Sequence, residues 1–346
     1  MTTIKTVAER AGVSLKTVSR VLTAPETVSE KTRAKVFAAA EALNFVPDQR
    51  AQAMRSGRSG VIGLLTDVVA STPCSMDIVK GVEEALAESR MSLLIGNMEN
   101  RSETSSSILR SFRAGRVEGV IYVASYHREV AGFEPLHLPT VMVNCFTRDG
   151  SLPTVIPDEE KGGHSAGAHL IALGHRKIAY LTLSPEIEAT RLRLAGLARA
   201  LREAGLVVPD NLAAPGQSGT GAFVQEEAFL AAMALLSCAD RPTAILCGND
   251  EMAMQVYNAA AQFGLTIPND LSVVGFDDHR LFSEGLRPGL TTVALPYVQM
   301  GRLAVEVLLG GQAGSGSSQV SKVDCPLVLR HSTIAAFASP RRVASG

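Results

Sequence analysis

Little in this sequence points to chemistry carried by a metal, a cofactor or a membrane. No uninterrupted apolar run approaches the roughly 18–20 residues of a membrane span. The N-terminal stretch MTTIKTVAERAGV lacks the apolar core of a secretory signal. The five cysteines (Cys74, Cys145, Cys238, Cys247, Cys325) are odd in number and show no Cys-x-x-Cys or Cys/His spacing. That argues against a disulfide framework and against structural zinc, and for a reducing compartment. Neither Gly-x-Gly-x-x-Gly nor Gly-x-x-x-x-Gly-Lys-Ser/Thr occurs, so dinucleotide or phosphate-loop binding has no support. The expectation is a soluble cytoplasmic protein with no cofactor and no metal.

Net charge is also scarce, −1 over 346 residues, but its distribution is uneven. Residues 1–58 carry ten Lys or Arg against five Asp or Glu, and the remainder carries 23 against 29. A basic head on an acidic body suits a polyanion-binding module fused to a soluble domain. Within the head, Thr3 can cap a helix from Ile4 to about Ala11 with Val7, Ala8 and Ala11 on one face. Gly12 supplies a turn, and Ser14 caps a second helix, Leu15 to Leu22, with Val18, Val21 and Leu22 inward. Ser29 caps a third, Glu30 to about Leu43, whose Val36, Ala39, Ala40 and Leu43 cover the first two. Helix, Gly-containing turn, helix is the spacing of a DNA-binding helix-turn-helix.

Three consecutive elements make a more specific match. The run TIKTVAERAGVSLKTVSRVL, then VSEKTRAKV, then NFVPDQRAQAMRSGRSG resembles the head of the lactose/galactose repressor (LacI/GalR) family. The resemblance implies that the second helix enters a major groove and that Leu15, Lys16 and Arg20 meet base edges. Lysine can donate to guanine and leucine can pack on a thymine methyl, while Arg20 suits base or phosphate. Thr3, Ser14, Thr17, Ser19, Lys31 and Arg33 are then candidates for phosphate contacts, which position without specifying. Residues 48–55 are too few for a stable isolated helix and should fold on DNA. There Arg50, Ala51, Met54 and Arg55 are the expected contacts, Met54 standing where the family more often has a leucine wedge for the minor groove. Asp48 similarly replaces a more usual asparagine.

From Val61 the chain alternates. Strand-like runs at 61–65, 92–96, 119–124, 140–144, 177–183, 243–248 and 271–276 are separated by helical stretches such as Met76–Arg90, Arg191–Ala204, Ala222–Leu236 and Glu251–Phe263. This is βαβ logic, giving parallel sheets in two lobes with a cleft at the strands' carboxyl ends. The fold class is therefore α/β, an all-α helix-turn-helix head on a two-lobed, doubly wound body. The resemblance supplies its version, like a type I periplasmic binding protein with three crossings between lobes, and covers essentially the whole chain. The domains expected are 1–46 (head), 47–60 (hinge) and 61–346 (effector binding and dimerisation). The lobes of the last are 61–160 with 291–325, and 161–290 with 326–346.

Matched position by position, the resemblance puts Arg193 with Arg191 nearby, Asn249, Asp277, Asn144 and Asp67 at the cleft. Fork-shaped donors and acceptors of this kind suit the vicinal hydroxyls of a sugar. Tyr126, Phe146 and Phe276 could cover an apolar ring face. Gly163-His164-Ser165-Ala166-Gly167 fits a nucleophile elbow in letters only. An elbow needs a strand running into it, whereas Pro157 to Lys161 reads as a capped helix start that already includes the motif. His169 and His175 read as structural polar residues. No catalytic residue is expected. The tail SPRRVASG lacks the apolar heptads of a tetramerising segment, which favours a homodimer. The reading is a ligand-responsive regulator, a repressor, on a pseudo-palindromic DNA operator, with a carbohydrate as the expected effector.

Overall fold

The computed structural model describes residues 3–45, 59–67, 73–98, 102–130, 137–209, 211–217, 224–310 and 319–336. The expected hinge contacts Arg50, Ala51, Met54 and Arg55 lie outside these residues. The chain divides into two compact units, Met1–Gly60 and Val61–Gly346.

The first unit is built by caps. Helix α1 (Ile4–Ala11) starts where Thr3 accepts from the Thr6 N–H while Thr6 Oγ1 accepts from the Thr3 N–H, a capping box closed by threonine. Gly12 ends it at φ 65°, a left-handed turn that a β-carbon would strain. Ser14 Oγ accepts from the Thr17 N–H at 3.1 Å to open α2 (Leu15–Thr23), and Ser29 accepts from the Thr32 N–H to open α3 (Glu30–Ala42). Three helices then bury Val7, Ala8, Val18, Val21, Val36 and Ala39.

The second unit holds two six-stranded sheets. In the first the order is β11-β5-β4-β3-β1-β2, from β1 (Val61–Thr66), β2 (Ser92–Asn97), β3 (Val120–Glu129), β4 (Thr140–Phe146), β5 (Thr154–Pro157) and β11 (Val320–Val323). In the second it is β12-β10-β9-β8-β6-β7, from β6 (Ile178–Thr182), β7 (Ala213–Pro215), β8 (Ala244–Cys247), β9 (Ser272–Asp277), β10 (Thr291–Ala294) and β12 (Leu327–Val328). All paired strands run parallel except β12 against β10. The central strands are apolar throughout because helices cover both faces.

Glycines let those helices approach. A β-carbon on Gly81 of α4 (Pro73–Glu88) would collide with the Val298 carbonyl of α11 (Tyr297–Leu309), and one on Gly301 with that of Ile78. The same close crossing joins α6 (Glu159–Ala172) to α7 (Glu188–Glu203), where Gly163 faces the Arg193 backbone and Gly196 the Glu160 carbonyl. The Gly-x-Ser-x-Gly letters are thus a helix contact surface, with Ser165 in the middle of α6. Helices α5 (Ser102–Ala114), α8 (Val224–Ser237), α9 (Asp250–Gln262) and the single turn α10 (Arg280–Ser283) occupy the remaining connections between strands.

One expected boundary is corrected. Residues 291–294 do not return to the first lobe: β10 pairs in parallel with β9, from Thr291 opposite Val274 to Ala294 opposite Asp277. Buried hydroxyls fasten it there, since Thr292 Oγ1 donates to Asp250 at 2.6 Å and Thr291 Oγ1 accepts from the Arg330 N–H. The chain crosses only after Ala294, through Leu295 and Pro296 into α11, which lies against α4 of the first lobe. Together with β5 to α6 and β11 to β12, that makes three passages between the sheets.

Candidate functional site

The outer face of α2 is shaped by what its inner face buries. Val18 and Val21 are fully enclosed, which turns Leu15, Lys16 and Arg20 to solvent through the 100° advance per residue. Leu15 is 48 % exposed, an apolar side chain that contributes nothing to the small core. Thr3 and Ser14 are exposed and committed to capping, with Thr17 Oγ1 at 2.8 Å from Ser14 Oγ. Ser19 is half-buried on the same helix, and on α3 Lys31 is exposed while Arg33 is half-buried. Ser14, Leu15, Lys16 and Thr17 therefore share the surface at the N-terminus of α2, an end whose N–H groups favour anions.

In the second unit the other candidates gather at the carboxyl ends of β1, β3 and β4 in one sheet and β8 and β9 in the other. Asp67, just past β1, is buried and accepts from the Ser125 N–H and, at 2.7 Å, from Ser125 Oγ. It also meets Arg128 Nη2 at 3.3 Å, so this carboxylate ties β1 to the irregular end of β3. Tyr126 reaches from β3 to the apolar cluster of the second sheet. Asn144, two residues before the end of β4, adopts φ 57° and donates from Nδ2 to the Ala124 carbonyl at 3.1 Å. Its Oδ1 is buried without a partner. Phe146 is half-buried, edge-on to His127 with centroids 5.8 Å apart.

In the second lobe, Arg193 on α7 is 2 % exposed and forks around Glu159. Its Nε donates to Oε2 at 2.6 Å and its Nη2 to Oε1 at 3.1 Å. Nη1 donates to the Gly248 carbonyl, and the guanidinium carbon lies 3.7 Å from the Phe276 ring centroid. Burial opposes the arginine's charge, but the Glu159 carboxylate outweighs it and holds the group protonated. Phe276 is fully enclosed and backs the arginine. Arg191 is not brought beside Arg193: it is exposed and paired with Glu188 one turn earlier. Asn249 is spent on its Oδ1, which caps α9 by accepting from the Met252 N–H at 2.8 Å. Asp277 closes β9 at φ 110°, and burial lifts its carboxyl well above the ordinary range against the pull of Arg193.

Two residues absent from the sequence reading complete this centre. Glu159 opens α6, and His127 Nδ1 of β3 stands 4.0 Å from its Oε1. Burial lowers the histidine's proton affinity, with Glu159 opposing. The signal for Glu159 lies in Arg193 itself. An arginine on the same helix face as Ala189 and Leu197 is buried, and a buried arginine requires a carboxylate. Among the described residues, no group of three His, Cys, Asp or Glu could hold a metal ion, and no helix is long and apolar enough to cross a membrane.

Comparison with known proteins agrees with both units. Residues 3–48 match the bacterial regulatory proteins, lacI family, and residues 168–333 match a periplasmic binding protein-like domain. The ribose operon repressor of Escherichia coli (strain K12) is 37% identical over 314 residues, which cover 89% of this chain and 92% of that protein. The HTH-type transcriptional repressor PurR of Photobacterium profundum is 33% identical over 323 residues, covering 89% and 91%. The lac repressor dimer bound to operator and the anti-inducer ONPF superposes with a TM-score of 0.76, at 28% identity over 96% of this chain and 99% of that one. By descent and by fold, the chain belongs to the lacI family of bacterial regulatory proteins.

Proposed function

We propose that this protein is a sequence-specific DNA-binding transcriptional repressor whose operator affinity is set by a small molecule, a sugar or sugar derivative, held between the lobes of its second unit. The observation that carries the DNA half is Leu15 beside Lys16: an exposed leucine and a lysine at the first turn of a helix that is otherwise anchored by fully buried valines. A leucine left in water at that place is explained by a thymine methyl, and a lysine next to it by a guanine edge. The effector half rests on polar residues near strand ends, Asp67 and Asn144 in one lobe and Asn249 and Asp277 in the other, with the Arg193–Glu159 pair beside Asp277. The relative named for the ribose operon makes a pentose the first effector to try.

The protein acts as a homodimer on a pseudo-palindromic site, a reading supported by the similar lac repressor, whose dimer is bound to operator. It works in the cytoplasm and catalyses nothing. Ser165 sits mid-helix, where no strand runs directly into it as a nucleophile elbow needs. Ligand acts by binding one arrangement of the lobes better than the other, which is all that coupling to DNA requires. The test is selection of duplexes from a random pool by the intact chain, followed by titration with and without D-ribose. A pseudo-palindrome bound at least about a thousandfold more tightly than random sequence is expected. Equal affinity for every duplex at physiological salt overturns the reading.

A further inference from the structure

Arg193 is the strongest cation near the strand ends, and its charge is already taken. Glu159 holds it through two bonds, with the two side chains only 3% and 1% exposed, and Gly248 takes a third N–H. Phe276 covers one face of the guanidinium. Arg128 is likewise matched to Asp67, Arg330 to Asp278 and Arg191 to Glu188. Lys322 on β11 is exposed. Asp277 adds a further carboxyl beside Arg193. Each of these arginines therefore faces a carboxylate, and Arg193, the buried one, is fully matched.

A second observation concerns the kind of group that is wanting. Asn144 is 2% exposed, and its amide orientation is fixed because only Nδ2 can donate to the Ala124 carbonyl. Oδ1 is therefore an acceptor, and it is buried with no donor. A carboxylate or a fully ionised phosphate ester cannot fill that need with its charged oxygens, because they have no hydrogen to give. A hydroxyl can. Arg193 retains one N–H on each terminal nitrogen beyond its three bonds, enough to bind a hydroxyl oxygen without being asked to neutralise a charge.

We propose that Glu159 determines the charge class of the effector: by sequestering Arg193 it makes the cleft select an uncharged polyhydroxy compound and reject sugar acids and sugar phosphates. This rests on the sugar-cleft reading above. An anion entering would lose its hydration and meet the buried Glu159 carboxylate, and Arg193, already neutralised by that carboxylate, would have no net charge to offer it. A neutral polyol exchanges its water hydrogen bonds for those of Asn144 and Arg193 at no charge penalty.

The experiment is calorimetric titration of the full chain with matched probes. D-ribose, D-galactose and D-glucose are each compared with the corresponding aldonate and aldose phosphate, and inorganic phosphate is run alone. The wild type should bind a neutral sugar at least about tenfold more tightly than its own anionic partners, and should show no saturable heat with phosphate. Glu159→Gln should gain affinity for phosphate and for the acids by about tenfold or more, and adding Arg193→Met should remove that gain. A wild type that prefers an acid or phosphate to its neutral parent overturns the role of Glu159 and leaves the sugar cleft standing. So does a folded Glu159→Gln protein that gains no anion affinity. Should that variant fail to fold, the wild-type comparison of neutral with anionic partners decides. A wild type that binds no member of any pair overturns the sugar-cleft reading itself, and this inference with it.

Discussion

Glu159 and Arg193 form a two-pronged ion pair sealed inside the protein, with bonds of 2.6 and 3.1 Å. Such pairs contribute little net stability, because both partners lose their water, yet they are costly to break. Glu159→Ala should lower the unfolding free energy by about 3–5 kcal/mol, as an arginine is left charged and buried. Replacing both at once, by Glu159→Leu with Arg193→Met, should be near neutral. Urea unfolding of the single and double variants checks this. A single variant within about 1 kcal/mol of wild type means that the arginine finds water or another partner.

The surface of α2 separates two kinds of DNA contact. Lys16→Ala removes a group placed to read a base edge, so the preferred sequence should change at one symmetric pair of positions. Arg33→Ala removes a group placed for phosphate, so all sequences should weaken alike and the salt slope should drop by about one. Binding-site selection and titrations at several salt concentrations distinguish the two. Loss of discrimination in the Arg33 variant, with discrimination intact in the Lys16 variant, reverses the assignment.

The contrast between head and cleft shows how far local signals reach. Thr3, Ser14 and Ser29 announce three helices because a cap needs only a side chain and an N–H three residues on. The central strands of the body are equally plain as apolar runs. What escapes is non-local or short. Strands β7, β11 and β12 have four residues or fewer and little periodicity. The run at β10 could join either sheet until Thr292 finds Asp250, 42 positions away. Glu159 reads in sequence as one of several acids at a helix start, and only its partner 34 residues later makes it buried. Arg191 and Arg193 look alike in sequence, yet one faces solvent and the other the interior, because two residues on a helix turn through about 200°.

Gly196 tests why α6 and α7 lie so close. A β-carbon there would run into the Glu160 carbonyl oxygen and the His164 nitrogen, both backbone atoms that cannot swing away. Gly196→Ala should therefore destabilise by about 1–3 kcal/mol, despite the better helix propensity of alanine. Because α7 carries Arg193, the same change should weaken effector binding. Thermal unfolding and sugar titration measure both. A stabilised variant means that the helices separate freely.

Asp250 makes a prediction about pH. Burial raises its carboxyl from the ordinary 3.8 to about 7, while the Thr292 hydroxyl and the His279 N–H, both donors to it, pull the other way. Gly275 leaves the room it occupies, since a β-carbon there would strike Asp250 Oδ1. In the window from about pH 4 to about pH 7 the folded state holds a proton that the unfolded state has lost. Its contribution to stability is therefore largest at the acid end and disappears as pH rises through about 7. The slope attributable to this one group is at most about −1.4 kcal/mol per pH unit. Asp250→Asn keeps an acceptor for the His279 N–H and can donate to Thr292, whose hydroxyl turns to accept. The stability of wild type relative to this variant should then fall from pH 5 to pH 7.5, read from urea unfolding at each pH. A difference that stays constant across the range means that the carboxyl is already ionised in the folded protein, and that Thr292 and His279 outweigh its burial.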